Sequence, residues 1–209
     1  MSADQADDSG RGSSTAGDEY ARRLHRLDQS RWRRALNVQA PYRWNIRRLR
    51  LGRTLDIGSG LGRNLAHLEG NGIGVDHNAE SVAIANARGL TSYTVDEFRS
   101  SKDAVEASFD SLLLAHVLEH VSDDYGRNLI SEYLRYLKPG GMMCLICPQE
   151  AGFKTDATHV NFVDFDRLVS VCTDLGFHVE RKYSFPFPRF AGKVFPYNEF
   201  VVVAKHARS

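Results

Sequence analysis

Thr54-Leu-Asp-Ile-Gly-Ser-Gly-Leu-Gly-Arg-Asn64 (TLDIGSGLGRN) joins a short apolar run to a helix-forming segment through three glycines. The run 54–58 reads as a strand and 63–69 as the helix after it. Glycine at such a turn takes up left-handed dihedrals and lets a ligand approach the backbone closely. In an open α/β sheet the turn would lie at the carboxyl ends of the strands, where ligands bind. A dinucleotide fingerprint needs Gly-x-Gly-x-x-Gly, and Arg63 stands where its last glycine belongs. Asp56 also opens the loop with a negative charge, a poor neighbour for a pyrophosphate and a good one for a cation.

Working outward, the chain alternates short apolar runs with helix-forming segments. GIGVD at 72–76 predicts a second strand, followed by a helix over 79–88 that Gly89 ends. A third strand is expected over 91–95. Residues 109–115 form a fourth, whose near-continuous apolar character suits a strand buried on both faces. A helix over 123–137 then runs to Pro139-Gly140-Gly141, with a fifth strand over 142–147 and a helix over 164–175. Strands at 177–183 and 199–205 close the chain with no helix between them. Alternation of this kind predicts an α/β fold: a doubly wound, seven-stranded, mainly parallel sheet with helices on both faces. The final helix-free pair makes the last strand antiparallel.

With 209 residues and 23.5 kDa the chain fits one ordinary domain with an appended arm. A hydrophobic fraction of 42% and a net charge of +1 suit a globular protein and give no reason to expect a DNA or membrane partner. No apolar run reaches membrane-span length. Three cysteines are too few for a disulfide framework and, with no secretory signal visible, point to the cytoplasm. Residues 1–18 lack aromatic and large aliphatic side chains apart from Met1, and read as a disordered tail. Residues 19–52 form a basic helical arm or cap; 11 Arg against the single acid Asp28 fall within 22–53. The arm could attract an anionic substrate or RNA, or simply pack its aromatics with solvated arginines. The remainder, 53–209, is the binding domain.

Two patterns mimic metal sites. His116-Val-Leu-Glu119-His120 spells the H-x-x-E-H of inverted zinc peptidases, but it follows a buried strand and precedes the next helix. Cys144-Leu-Ile-Cys147 spells C-x-x-C inside a strand, where residues three apart point to opposite faces. No metal ligand set is therefore expected, although Asp156 and His159 could help to hold a divalent ion.

Taken in order, 54–68, GIGVDHN at 72–78, VDEF at 95–98, FDSLLLAHVLEHV at 109–121 and LKPGGMMCLICP at 137–148 resemble the class I S-adenosylmethionine-dependent methyltransferases, in particular their small-molecule group. The resemblance runs from about residue 53 to the C-terminus. It implies S-adenosylmethionine as cofactor and S-adenosylhomocysteine as product. It further implies that Gly58, Ser59, Gly60 and Asn64 surround the amino acid end of the cofactor, with Asp56 near its ammonium. Asp76 would hold the ribose hydroxyls with His77 beside it. Asp96 would accept from the adenine amino group, and the Glu97-Phe98 backbone would flank the ring. Ala115 and His116 would face the methionine portion and the transferred methyl.

An oxygen acceptor additionally needs a base within hydrogen-bond reach. His159, in Asp156-Ala-Thr-His159 after the fifth strand, is the first candidate, ahead of His116 and His120. The aromatic insert over 184–198 is too long for a tight hairpin and suits a substrate wall, a lid or a dimer contact. Arg189, Lys193 and Tyr197 on it are candidate acceptor-binding residues. The expected activity is methyl transfer to a small-molecule hydroxyl of a glycan, phenol or natural product. An RNA methyltransferase using the arginine-rich arm, or a non-catalytic cofactor-binding module, are the alternatives.

Overall fold

The computed structural model describes residues 39–207; the tail over 1–18 and the first part of the 19–52 arm, residues 19–38, lie outside them. Helix α1 (Ala40–Leu49) leads into β1 (Thr54–Ile57), α2 (Arg63–His67), β2 (Gly72–Asp76), α3 (Ala79–Ala87), β3 (Ser92–Thr94) and α4 (Val95–Ser100). Then follow β4 (Phe109–Ala115), α5 (Asp123–Tyr133), β5 (Leu137–Pro148), α6 (Glu150–Phe153), α7 (Phe165–Asp174), β6 (Phe177–Phe185) and β7 (Glu199–His206). The strands make one sheet in the order β3-β2-β1-β4-β5-β7-β6. Pairs among β1 to β5 are parallel, whereas β7 is antiparallel to both β5 and β6. The order reverses between β1 and β4, so the β1 and β4 loops open side by side at one end of the sheet.

Strand periodicity divides the core into two layers. Leu112, Leu114, Met143, Leu145, Cys147, Val202 and Ala204 face one layer. Leu113, Ala115, Cys144, Ile146, Val201 and Val203 face the other. Cys144 and Cys147 thus lie on opposite faces as their spacing requires. All three cysteines are free and buried, and burial pushes the Cys144 and Cys172 thiols up to about 12. Burying one leucine in such a layer contributes about 1.5–3 kcal/mol.

The end of the basic arm belongs to this body. Ile46 and Leu49 of α1, with Leu51 after it, complete the second layer. Arg47 pairs with Glu69 at 2.5 Å, and the Arg48 guanidinium lies 4.5 Å from the Trp44 ring and 4.8 Å from that of Tyr183. Part of the positive charge therefore serves packing within the molecule.

Some element boundaries differ from the sequence expectation. Helix α5 stops at Tyr133, a 3-10 turn covers Leu134–Tyr136, and β5 begins at Leu137, ahead of Pro139-Gly140-Gly141. Leu137 pairs with Phe109 and Met142 with Ser111, so the Pro-Gly-Gly segment is an irregularity within a strand. Lys138 staples it to Asp110 across 2.6 Å. Helices α4 and α6 were not expected from the apolar pattern. The first starts because Thr94 and Glu97 form a reciprocal capping box.

Candidate functional site

The β1 loop is shaped by its glycines. Gly58 has φ 73°, and a Cβ there would meet Val117 Cγ2 at 2.5 Å. The loop is thus pressed against the segment leaving β4. Gly58 and Ser59 donate to the Val75 carbonyl at 2.8 and 3.2 Å, and the Ser59 hydroxyl lies 3.2 Å from that of Ser92. Asp56, 1% exposed, has neither carboxylate oxygen hydrogen-bonded among the described residues. Burial, reinforced by Asp76 and opposed by Arg63, pushes its carboxyl up to about 8. A buried acid in this condition is poised for a cation. Asp76 accepts from Gly60 N at 2.7 Å and from Asn78 N at 2.9 Å, tying the ends of β1 and β2 together.

The remaining cofactor-side candidates follow β2 and β3 or open α2. His77 is 84% exposed, with Nδ1 3.5 Å from Asp76. Asp96 projects into solvent on the first turn of α4, 3.7 Å from Arg99. The Glu97 side chain is occupied by the cap, accepting from Thr94 N at 2.8 Å, and the Phe98 ring is fully buried against Tyr136. Backbone is what these two residues offer to a ligand. Asn64 lines a narrow cleft with Tyr42, Asn45, Arg63 and Glu199. Burial raises the Tyr42 phenol well above its ordinary value, and its hydroxyl donates to the Tyr197 carbonyl at 2.6 Å.

At the end of β4, after buried Ala115, His116 adopts φ 62°. A left-handed conformation costs a non-glycine residue about 1–2 kcal/mol and is kept only when its surroundings impose it. Here both ring nitrogens are engaged: Nδ1 with Glu119 Oε1 at 3.1 Å and Nε2 with Glu199 Oε1 at 2.9 Å. Burial opposes the charged imidazole, but the two carboxylates outweigh it and push the pKa up to about 9. A doubly engaged imidazolium has no lone pair for an acceptor's proton, so of the three histidines His116 is a clamp and not a base. It joins two strand ends, 83 residues apart.

His120 and His159 are disposed differently. A 3-10 turn over Leu118–His120 replaces the helix that a zinc-peptidase motif would need. The His159 Nδ1 lies 2.7 Å from the Phe153 carbonyl, and the His120 Nδ1 lies 3.2 Å from the Thr158 carbonyl and hydroxyl. Donation to a carbonyl places the hydrogen on Nδ1 and the lone pair on Nε2. The rings meet edge to face at 4.8 Å. Val160 N and Asn161 N both donate to the Glu119 carbonyl, pinning the His159 loop to the turn. Asp156 accepts from Thr158 through both its backbone and hydroxyl and shapes this loop.

The aromatic insert is anchored by a buried polar network. Gln149 donates to Ser184 Oγ at 2.7 Å and accepts from Asn198 Nδ2 at 3.0 Å. Arg189, a candidate acceptor ligand, is bidentate to Glu150 at 2.5 and 2.8 Å. Its guanidinium is engaged in fixing the wall. Lys193 is exposed, and Phe187, Phe190, Val194 and Tyr197 present apolar surface. Sequence reasoning missed Glu199, Gln149 and Asn198. Their one signal is polarity at the ends of otherwise apolar strands, which does not reveal what they contact.

Residues 55–145 match the family model of a methyltransferase domain. No curated protein matches the sequence. Among solved structures, an S-adenosylmethionine-dependent methyltransferase from Archaeoglobus fulgidus is 19% identical, with a TM-score of 0.61 over 78% of this chain and 92% of that one. One from Thermotoga maritima is 19% identical with a TM-score of 0.64 over 89% and 97%. Magnesium protoporphyrin IX methyltransferase from Synechocystis PCC 6803, with bound S-adenosylhomocysteine, is 14% identical with a TM-score of 0.62 over 94% and 100%. No helix among the described residues is long and apolar enough to cross a membrane. Residues 55–145 thus carry the match to a methyltransferase domain, and the strand order is the fold these S-adenosylmethionine-dependent methyltransferases share.

Proposed function

We propose that the chain methylates a hydroxyl oxygen of a small-molecule acceptor, such as a glycan, phenol or other natural product, in the reducing cytoplasm. One observation carries the choice of oxygen. Two imidazoles, His120 and His159, are held as Nδ1 donors to backbone carbonyls beside the loop that would seat the reacting methyl. An oxygen nucleophile must lose a proton as it attacks, and such nitrogens can take it. S-adenosylmethionine supplies an electrophilic methyl on a sulfonium that is already a good leaving group.

The chain's own residues bind, orient and exclude water. Asp56 has the two unpaired oxygens an ammonium group would satisfy, and Gly58, Ser59, Gly60 and Asn64 leave backbone and small polar groups around it. Asp76, with His77 alongside, would receive the ribose hydroxyls. Asp96 would take the adenine amino group, with the Glu97 and Phe98 backbone along the ring. Ala115 would border the methionine side chain, with His116 behind it holding the two strand ends. Lys193 and Tyr197 would line the acceptor mouth on a wall that Arg189 braces. Holding acceptor and cofactor in line supplies several kcal/mol of the barrier reduction.

Calorimetric titration with S-adenosylmethionine and S-adenosylhomocysteine, followed by transfer of a labelled methyl to hydroxylated acceptors, tests this reading. Micromolar binding of both and label in an ether product is the expected outcome. Binding of neither would refute the cofactor assignment, and label only on nitrogen or sulfur would refute the choice of oxygen.

A further inference from the structure

The acceptor-side cluster has a feature that proton transfer alone does not require. Glu119, His120 and His159 bring one donor atom each to within 4.8 Å of one another. Both imidazoles are oriented through Nδ1 by protein oxygens, the arrangement typical of histidines that ligate a metal through Nε2. Glu119 is fully buried, and while Oε1 is bonded to His116, Oε2 is buried with no partner among the described residues. Burying a carboxylate oxygen unpaired is costly, and a cation in the cluster would remove that cost. The two hydrogen bonds from the His159 loop to the Glu119 carbonyl hold all three residues in one unit.

We infer that Glu119, His120 and His159 bind a divalent transition-metal ion. Two neutral imidazoles and one carboxylate suit Zn²⁺, Co²⁺, Mn²⁺ or Fe²⁺ better than Mg²⁺ or Ca²⁺, which favour all-oxygen sets. Bonds of about 2.1 Å in a tetrahedral site separate ligands by about 3.4 Å, so donor atoms that lie within 4.8 Å of one another close by at most about 1.4 Å on binding. His120 and His159 are partly exposed and can make that adjustment, and their exposure leaves ligand positions open to the acceptor side. The ion's role rests on the proposed hydroxyl acceptor, whereas its binding does not. An ion there occupies the Nε2 lone pairs and so replaces the imidazoles as the activating group: it polarises the acceptor hydroxyl, whose proton then passes to solvent and not to a histidine. The oxygen pair then forms the new C–O bond as the C–S bond breaks, its electrons staying on the sulfur of S-adenosylhomocysteine.

The full chain, prepared without a polyhistidine tag and stripped with chelator, would be titrated with Co²⁺ while recording its visible d–d absorption. One equivalent per chain, displaced by Zn²⁺, is expected. His120→Ala, His159→Ala and His159→Gln should each weaken Co²⁺ binding at least tenfold, and His178→Ala, on the exposed face of β6, should not. S-adenosylhomocysteine binding by each variant, measured in parallel, reports that it is folded. No Co²⁺ or Zn²⁺ uptake by the wild-type chain, or uptake unchanged in the His120 and His159 variants, overturns the inference and leaves the cofactor reading intact. Metal uptake without cofactor binding would support the metal site and refute the cofactor reading instead.

Discussion

The two halves of the open end of the sheet are built on different principles. On the cofactor side, the groups that shape the site are close in sequence or lie on adjacent parallel strands. Asp76 contacts Gly60 and Asn78, and Thr94 and Glu97 cap each other. On the acceptor side, the decisive contacts span long stretches of chain: His116 with Glu199, His120 with Thr158, Gln149 with Asn198, and Tyr42 with Tyr197. The first half offers backbone and acids, which in the proposed reading meet the cofactor. The second is a set of side chains braced by one another, and can be varied without disturbing the glycine turn.

If the halves are functionally separable, variants should affect cofactor binding or turnover but not both. His159→Ala should show the largest effect, lowering kcat by about 10²–10⁴ while S-adenosylmethionine binds as before. Loss of cofactor binding in that variant would show that the halves are coupled. Asp76→Ala should do the reverse, weakening the cofactor by about 1.5–3 kcal/mol in a calorimetric titration.

Asp56 sharpens the contrast through pH. Its folded pKa of about 8 lies above the usual carboxylate value of 3.8, so the native state holds the proton more tightly than the unfolded chain. This contribution to apoprotein stability is complete below about pH 4. It is lost as pH rises towards 8, by at most about 1.4 kcal/mol per unit. Cofactor affinity should change oppositely, tightening as pH rises through 8 and the acid ionises. Asp56→Asn should flatten both profiles, followed by melting curves and titrations between pH 5 and 9. The smallest effect belongs to the acceptor wall. Arg189→Ala removes a partly exposed ion pair and should cost about 0.5–1 kcal/mol in denaturant unfolding, raising the acceptor KM without altering cofactor Kd.

The same division governs how much of the protein is legible in its sequence. The glycine turn, the acid that opens it and the acid ending β2 announce themselves because local dihedral demands and strand period determine what each residue can do. The 139–141 segment misleads for the complementary reason: Pro-Gly-Gly ends most helices, but pairing of Leu137 with Phe109 extends the strand through it. His116 looks like an ordinary titratable residue until Glu119, three residues on, and Glu199, from the distant start of β7, occupy its two nitrogens. Arg189 reads as an available cation, and Glu150 takes it.

From its sequence alone, this chain declares an alternating α/β sheet, a class I methyltransferase resemblance and an acid-and-glycine cofactor loop. Each depends on spacing within a few residues, which the chain cannot change without changing its local structure. Only the tertiary structure decides which histidine is a clamp between two carboxylates and which are held through Nδ1 by carbonyls, and that Glu119 stands with His120 and His159. Two of the bonds that set those roles, His116 with Glu199 and His120 with Thr158, join residues 83 and 38 apart. No local pattern encodes them, because their energy is realised only when the sheet brings its strand ends together.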